Sequence, residues 1–248
     1  LPDGFMELVE KLYDMGITFA AASGRQYYGV EKLFMPVRDK MMFIAENGGV
    51  AYEKGQLIYS LPMPADDVLA MVHEAEKLYD KGVRILLSGE NCAYVADSDK
   101  DFSDSCNTYC ARLKTVNDFS VIPDGDRIIK IALFDKNAET QVYPAMKRFS
   151  DDFNVILSNT CWVDIVGKTV NKGTAVTKLM ERLGAGYDKA MVFGDYLNDY
   201  EMMSCCKYSF AMENAHPQLK SAAHYIAPSN DDNGVVREIK AHIPELKI

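Results

Sequence analysis

The chain holds 248 residues and a net charge of -9, from 27 Lys and Arg against 36 Asp and Glu. At about 150 residues per domain this length fits one large domain or two unequal ones. Hydrophobic residues make up 48% and charged residues 25%, an ordinary globular balance that excludes a disordered tail protein. The negative sign opposes a broad surface for a phosphate backbone, so nucleic acid is not an expected partner. A small anionic substrate stays open, because a few cations in one pocket override a distant field. The longest apolar runs, such as 17–22, are far shorter than the ~20 residues of a membrane span, and no secretory signal is visible. The six cysteines form no C-x-x-C pair and lie far in sequence from the four histidines. Neither zinc nor a disulfide framework is expected, and the thiols read as reduced and the protein as cytoplasmic.

Along the chain, Phe5, Leu8, Val9 and Leu12 recur at helical spacing behind Pro2-Asp3, and Gly16 ends that helix. The apolar runs 17–22 and 41–45 read as parallel strands covered on both faces. Asn47-Gly48-Gly49 then predicts a tight turn, with short hairpin strands at 50–52 and 57–59. The texture changes near Pro62. An amphipathic helix is expected over 65–79, with Val68, Met71, Val72, Ala75 and Leu78 on one face. Strands follow at 84–87, 93–95, 127–134, 155–157 and 162–166, with a helix at 139–149, which suggests a small and largely antiparallel sheet. After Lys172 the first texture returns: helix 173–183, strand 190–193, helix 198–206, strand 208–211, helix 215–223, strand 225–227 and helix 235–242. This alternation predicts an α/β fold, a doubly wound Rossmann-like parallel-sheet core carrying an inserted α/β domain. The core parts are 1–61 and 166–248, and the insertion is 62–165.

Four polar clusters follow apolar runs or open helices, where ligands of open parallel sheets lie. Gly194-Asp195-Tyr196-Leu197-Asn198-Asp199 directly follows the strand 190–193. Two aspartates four apart repel each other on one helix face, so the pair suggests a cation site, and oxygen ligands beside an anionic partner suit Mg²⁺. The alternative is that Asp195 or Asn198 merely caps the next helix. Ser23-Gly24-Arg25 follows the strand 17–22 and offers a hydroxyl and backbone N–H groups to a phosphate oxygen, or else is a serine cap with a tight turn. In Asn171-Lys172-Gly173-Thr174 a lysine occupies the first helical turn, where the dipole is already positive. It belongs there if an anion faces that terminus, or it is a solvated surface lysine. Glu46-Asn47-Gly48-Gly49 is adequately explained as a hairpin turn.

Other candidates fail. Asp97, Asp99 and Asp101 alternate like a calcium loop, but the required glycine is Phe102 and the twelfth position is Thr108. Ser23 lacks the G-x-S-x-G elbow of an acyl-transfer nucleophile. The lone histidines read as surface or packing residues, and Met202-Met203 as helix packing.

Taken together, Ser23-Gly24-Arg25, Lys172-Gly173 and Gly194-Asp195-x-x-Asn198-Asp199 resemble the haloacid dehalogenase superfamily, and more narrowly its Cof-type phosphatases with a large α/β cap (subfamily IIB). The resemblance covers about 1–61 and 166–243, and Asp232-Asn233-Gly234-Val235 is also similar to that group. It implies that Ser23 and the Gly24 N–H bind the transferring phosphoryl group, with Arg25, Asn47 and Asn198 also at the substrate. Lys172 would balance charge, Asp195 would ligate Mg²⁺, and Asp199 would help orient the metal or brace Lys172. The family's D-x-D-G-T/V segment, with its nucleophilic aspartate, ends a strand upstream of the first helix. Asp3-Gly4 is not that motif, so roughly twenty residues carrying it are expected before Leu1, a strand plus a loop. The expected activity is Mg²⁺-dependent hydrolysis of a small phosphorylated metabolite through a phospho-aspartate. A phosphomutase, or a non-catalytic sensor lacking the D-x-D, are the competing readings.

Overall fold

The computed structural model describes residues 1–96, 102, 106, 107 and 110–246. The aspartates 97, 99 and 101 and Thr108, weighed above as a calcium loop, lie outside the described residues. The chain divides into two compact units. One comprises Leu1–Gly24, Val30–Tyr59 and Asn171–Ile248, the other Arg25–Gly29 and Ser60–Val170.

The first unit holds two sheets. In one, β1 (Phe19–Ala22) runs parallel to β2 (Met41–Ala45), and β3 (Val50–Glu53) and β4 (Gln56–Ser60) follow in order. β2 and β3 are antiparallel, as their tight connection requires. In the other, β11 (Met191–Gly194), β12 (Tyr208–Met212) and β13 (Tyr225–Ala227) are all parallel. The first helix, Phe5–Asp14, buries Phe5, Leu8, Val9 and Leu12, the stripe its periodicity marks. Every residue of β2 is buried, as a continuous apolar run demands. β1 departs from that expectation. It ends its sheet, so Ala20 is exposed and its neighbours are only half-buried. An apolar run marks a strand but does not say how many partners it has.

The second unit is built on a six-stranded sheet in the order β7-β6-β5-β8-β10-β9. Its strands are β5 (Arg84–Gly89), β6 (Ala93–Ala96), β7 (Leu113–Val116), β8 (Ile128–Phe134), β9 (Phe153–Asn159) and β10 (Trp162–Gly167). Pairing is antiparallel except between β6 and β7. Strand alternation sends Ile85 and Leu87 to one face and Leu86 to the other. The first face meets Val68, Met71, Val72 and Ala75 of the helix Ala65–Glu76 in one cluster, and Leu86 joins Ala93, Val95, Phe102 and Cys106 in another. The helix expected over 139–149 is broken into a wide π turn (Ala138–Val142), a short α turn (Tyr143–Met146) and a 3₁₀ turn (Lys147–Phe149). Pro144 accounts for this, since it has no N–H to donate four residues back. Within this unit Gln26 and the Arg112 backbone exchange two hydrogen bonds of 2.9 Å, and the Arg112 guanidinium lies 3.5 Å over the Tyr28 ring. Among the described residues no helix is long and apolar enough to cross a membrane.

Candidate active site

β11 ends in Gly194, where a side chain is excluded because a Cβ would stand 2.5 Å from the Asp199 Cβ. The chain then turns into the 3₁₀ helix Leu197–Ser204. Its terminus is closed by Asp199, whose Oδ2 accepts the N–H groups of Asp195 (3.0 Å) and Tyr196 (3.3 Å). Capping therefore falls to Asp199 rather than to Asp195 or Asn198, both of which are exposed.

The other Asp199 oxygen, Oδ1, accepts the Lys172 ammonium at 2.6 Å. Lys172 opens the helix Lys172–Leu183, whose N-cap Asn171 accepts the Thr174 N–H at 2.7 Å. The lysine is buried, not a solvated surface residue. A cation at a positive helix terminus needs a facing anion, and Asp199 supplies one. Close approach of the two helices depends on Gly173, where a Cβ would meet the Glu201 backbone at 2.7 Å.

Ser23 extends the pairing of β1 and β2. Its N–H donates to the Ile44 carbonyl at 2.9 Å, and its carbonyl accepts the Asn47 N–H at 3.1 Å. Glu46, Asn47 and Gly48 all have positive φ, 49°, 54° and 97°. Three such residues in a row, two of them not glycine, make this more than an ordinary hairpin turn, because non-glycine residues reach that region only under constraint. The constraint is visible at Gly48, whose Cβ would stand 2.2 Å from the Asn171 carbonyl. The turn is thus pressed against the start of the Lys172 helix. Asn47 lies over Gly24, where a Cβ would be 2.7 Å from its Oδ1, and that oxygen accepts Asn198 Nδ2 at 3.0 Å.

Four segments distant in sequence are therefore linked. Ser23 and Gly24 meet Asn47, Asn47 meets Asn198, Gly48 meets Asn171 and Lys172, and Lys172 meets Asp199. Asp195 stands beside them with its carbonyl accepting the His216 N–H and its Oδ2 accepting Asn230 Nδ2, both at 2.9 Å. Arg25 is exposed and belongs to the second unit, where its neighbour Gln26 pairs with Arg112. Sequence reading missed Asn230 and His216. The signal for Asn230 was the polar cluster Ser229-Asn230-Asp231-Asp232-Asn233-Gly234 after a short strand.

The donors fit a hard cation, being oxygens of an exposed carboxylate and of carboxamides. Of the two roles expected for Asp199, orienting a metal or bracing Lys172, the geometry matches the second, since its oxygens are committed to Lys172 and to two N–H groups. Among the described residues no three His, Cys, Asp or Glu are grouped to hold a metal ion, so this chain offers such an ion Asp195 and leaves positions for other oxygens. Mg²⁺ is commonly held this way, by one or two carboxylates with water and phosphate.

Comparison with known proteins fits this arrangement. A family model described as haloacid dehalogenase-like hydrolase matches residues 1–239, and the chain belongs to that family. It is a phosphatase of the class. It is 30% identical over 237 residues to the 5-amino-6-(5-phospho-D-ribitylamino)uracil phosphatase YbjI of Escherichia coli (strain K12), covering 94% of this chain and 85% of the relative. The crystal structure of SMU.1108c from Streptococcus mutans UA159 is similar with a TM-score of 0.82 at 30% identity, covering 97% of this chain and 91% of the other. The fold is also that of the subclass IIB sugar phosphatase BT4131, with a TM-score of 0.75 at 21% identity, covering 98% and 92%.

Proposed function

We propose that the intact protein hydrolyses a small phosphorylated metabolite in the cytoplasm, with Mg²⁺ and through a phospho-aspartate whose nucleophile precedes Leu1. The observation that carries this reading is the linkage of Ser23, Asn47, Asn198, Lys172 and Asp199 beside Asp195. Phosphoryl transfer asks mainly for positioning and charge neutralisation. In this reading the Ser23 hydroxyl and Gly24 N–H donate to equatorial phosphoryl oxygens, and Asn47 and Asn198 orient them. Lys172 neutralises charge that develops on that group, held in place by Asp199. Asp195 would hold Mg²⁺, which would supply charge to offset the repulsion between an anionic nucleophile and an anionic ester.

The second unit, near the expected insertion 62–165, is assigned the role of cap that selects the substrate. The compound named for the Escherichia coli relative is one member of a substrate panel, with sugar phosphates and nucleotides as others. Release of inorganic phosphate with Mg²⁺, and a mass increase of one phosphoryl group on the upstream aspartate, are the expected results. Transfer of phosphate to a second hydroxyl without release would make the protein a mutase. Binding without either would make it a sensor.

A further inference from the structure

Asp195 is held by the loops that follow three neighbouring parallel strands. It follows β11 itself, Asn214 and His216 follow β12, and Asn230 follows β13. We propose that Asn230 is a positioning residue for the Asp195 carboxylate, fixing one oxygen so that the other is presented to the divalent cation. The inference rests on the assignment of Asp195 to Mg²⁺ made above.

Asn230 Nδ2 donates to Asp195 Oδ2 at 2.9 Å. An ionised carboxylate only accepts, so the carboxamide must turn its NH₂ toward it. A neutral donor suits this task. It orients the oxygen without cancelling its charge, whereas a lysine or arginine would compete with the cation. The loop is built to deliver that amide. The Asn230 N–H donates to Asn214 Oδ1 at 3.0 Å, and Ser229 Oγ donates to Asp232 Oδ2 at 2.7 Å. The Gly234 N–H closes on the Ser229 carbonyl at 3.1 Å. Asn233 is left-handed at φ 58°, and at Gly234 a Cβ would stand 1.9 Å from the Pro228 carbonyl oxygen. None of these bonds uses the Asn230 side chain, whose bond to Asp195 is therefore separable from the shape of the loop. Partners of this kind typically change metal affinity 10–100-fold when removed.

The test is calorimetric titration of the full-length protein with Mg²⁺ alone, paired with phosphate release measured against Mg²⁺ concentration. Asn230→Ala should weaken Mg²⁺ binding about 10–100-fold and raise the half-maximal Mg²⁺ concentration in parallel, with kcat at saturating Mg²⁺ restored close to that of the native protein. Asn230→Ser, which keeps a polar side chain in the loop, gives the same reading should the alanine variant melt early. Unchanged Mg²⁺ affinity, or a loss confined to kcat, overturns the proposal. Asp195→Ala separates the two layers. If it abolishes Mg²⁺ binding while Asn230→Ala does not weaken it, only the positioning role falls. If it leaves Mg²⁺ binding intact, the assignment of Asp195 falls and the role of Asn230 with it.

Discussion

The Lys172 ammonium lies 2.6 Å from Asp199 Oδ1, with both side chains buried. Removing one member of such a pair strands the other charge in the interior, which costs about 3–5 kcal/mol. Lys172→Ala and Asp199→Ala should each lower the urea midpoint by an amount corresponding to that loss, and the double variant should lose less than the sum of the two. Additive losses would mean that the two groups do not depend on each other.

Gly48 carries a second prediction. Alanine there takes on the left-handed penalty, and its Cβ falls 2.2 Å from the Asn171 carbonyl oxygen. The combined cost is about 2–5 kcal/mol. Gly4 also has positive φ but meets nothing within 4 Å, so Gly4→Ala should show only the conformational part. Comparing the two thermal midpoints isolates the packing of the turn against the Lys172 helix. Equal losses would contradict that packing.

Much of this site was legible in the sequence because strand ends and helix starts carry local signals. Ser23, Lys172 and Asp195 all stand at such punctuation. What was not legible was the sharing of work between neighbours. The resemblance leaves Asp199 either to orient the metal or to brace Lys172, and only its contact with Lys172, 27 positions away, selects the brace. Glu46-Asn47-Gly48 read as a hairpin turn because the same residue types serve both purposes, and the collision that demands Gly48 comes from Asn171. The inserted sheet was recognisable by its alternation, while the break at Pro144 shows a single residue overriding a helical period. β1 was recognised as a strand, but its exposure depends on its place at the end of the sheet, which composition does not record.

Alkaline pH should weaken the fold. Burial pushes the Cys106 thiol up to about 12, with Cys110 adding to it, and the Cys206 thiol up to about 11. Burial and then the Glu76 carboxylate push Tyr79 up to about 12. The unfolded chain releases these protons first, near the ordinary values of 9.0 for a thiol and 10.0 for a phenol. Between those values and the folded ones it binds fewer protons than the native state, so stability falls as pH rises. It is fully present below about pH 8 and declines steadily above about pH 9. Urea melts across that range should show the midpoint dropping. The same thiols should resist alkylation in the native protein at neutral pH and react once it is unfolded, because the thiolate is the reactive form. Rapid native modification of Cys106 or Cys206 would contradict this.

Asp195 bears most directly on the functional account. The decisive measurement is inorganic phosphate release from a phosphomonoester by the protein expressed from its own start codon, with and without Mg²⁺, compared with its Asp195→Ala variant. The account predicts Mg²⁺-dependent release by the native protein and near-complete loss in the variant with the fold retained. Release by the variant at the native rate, with Mg²⁺ still required, would contradict it.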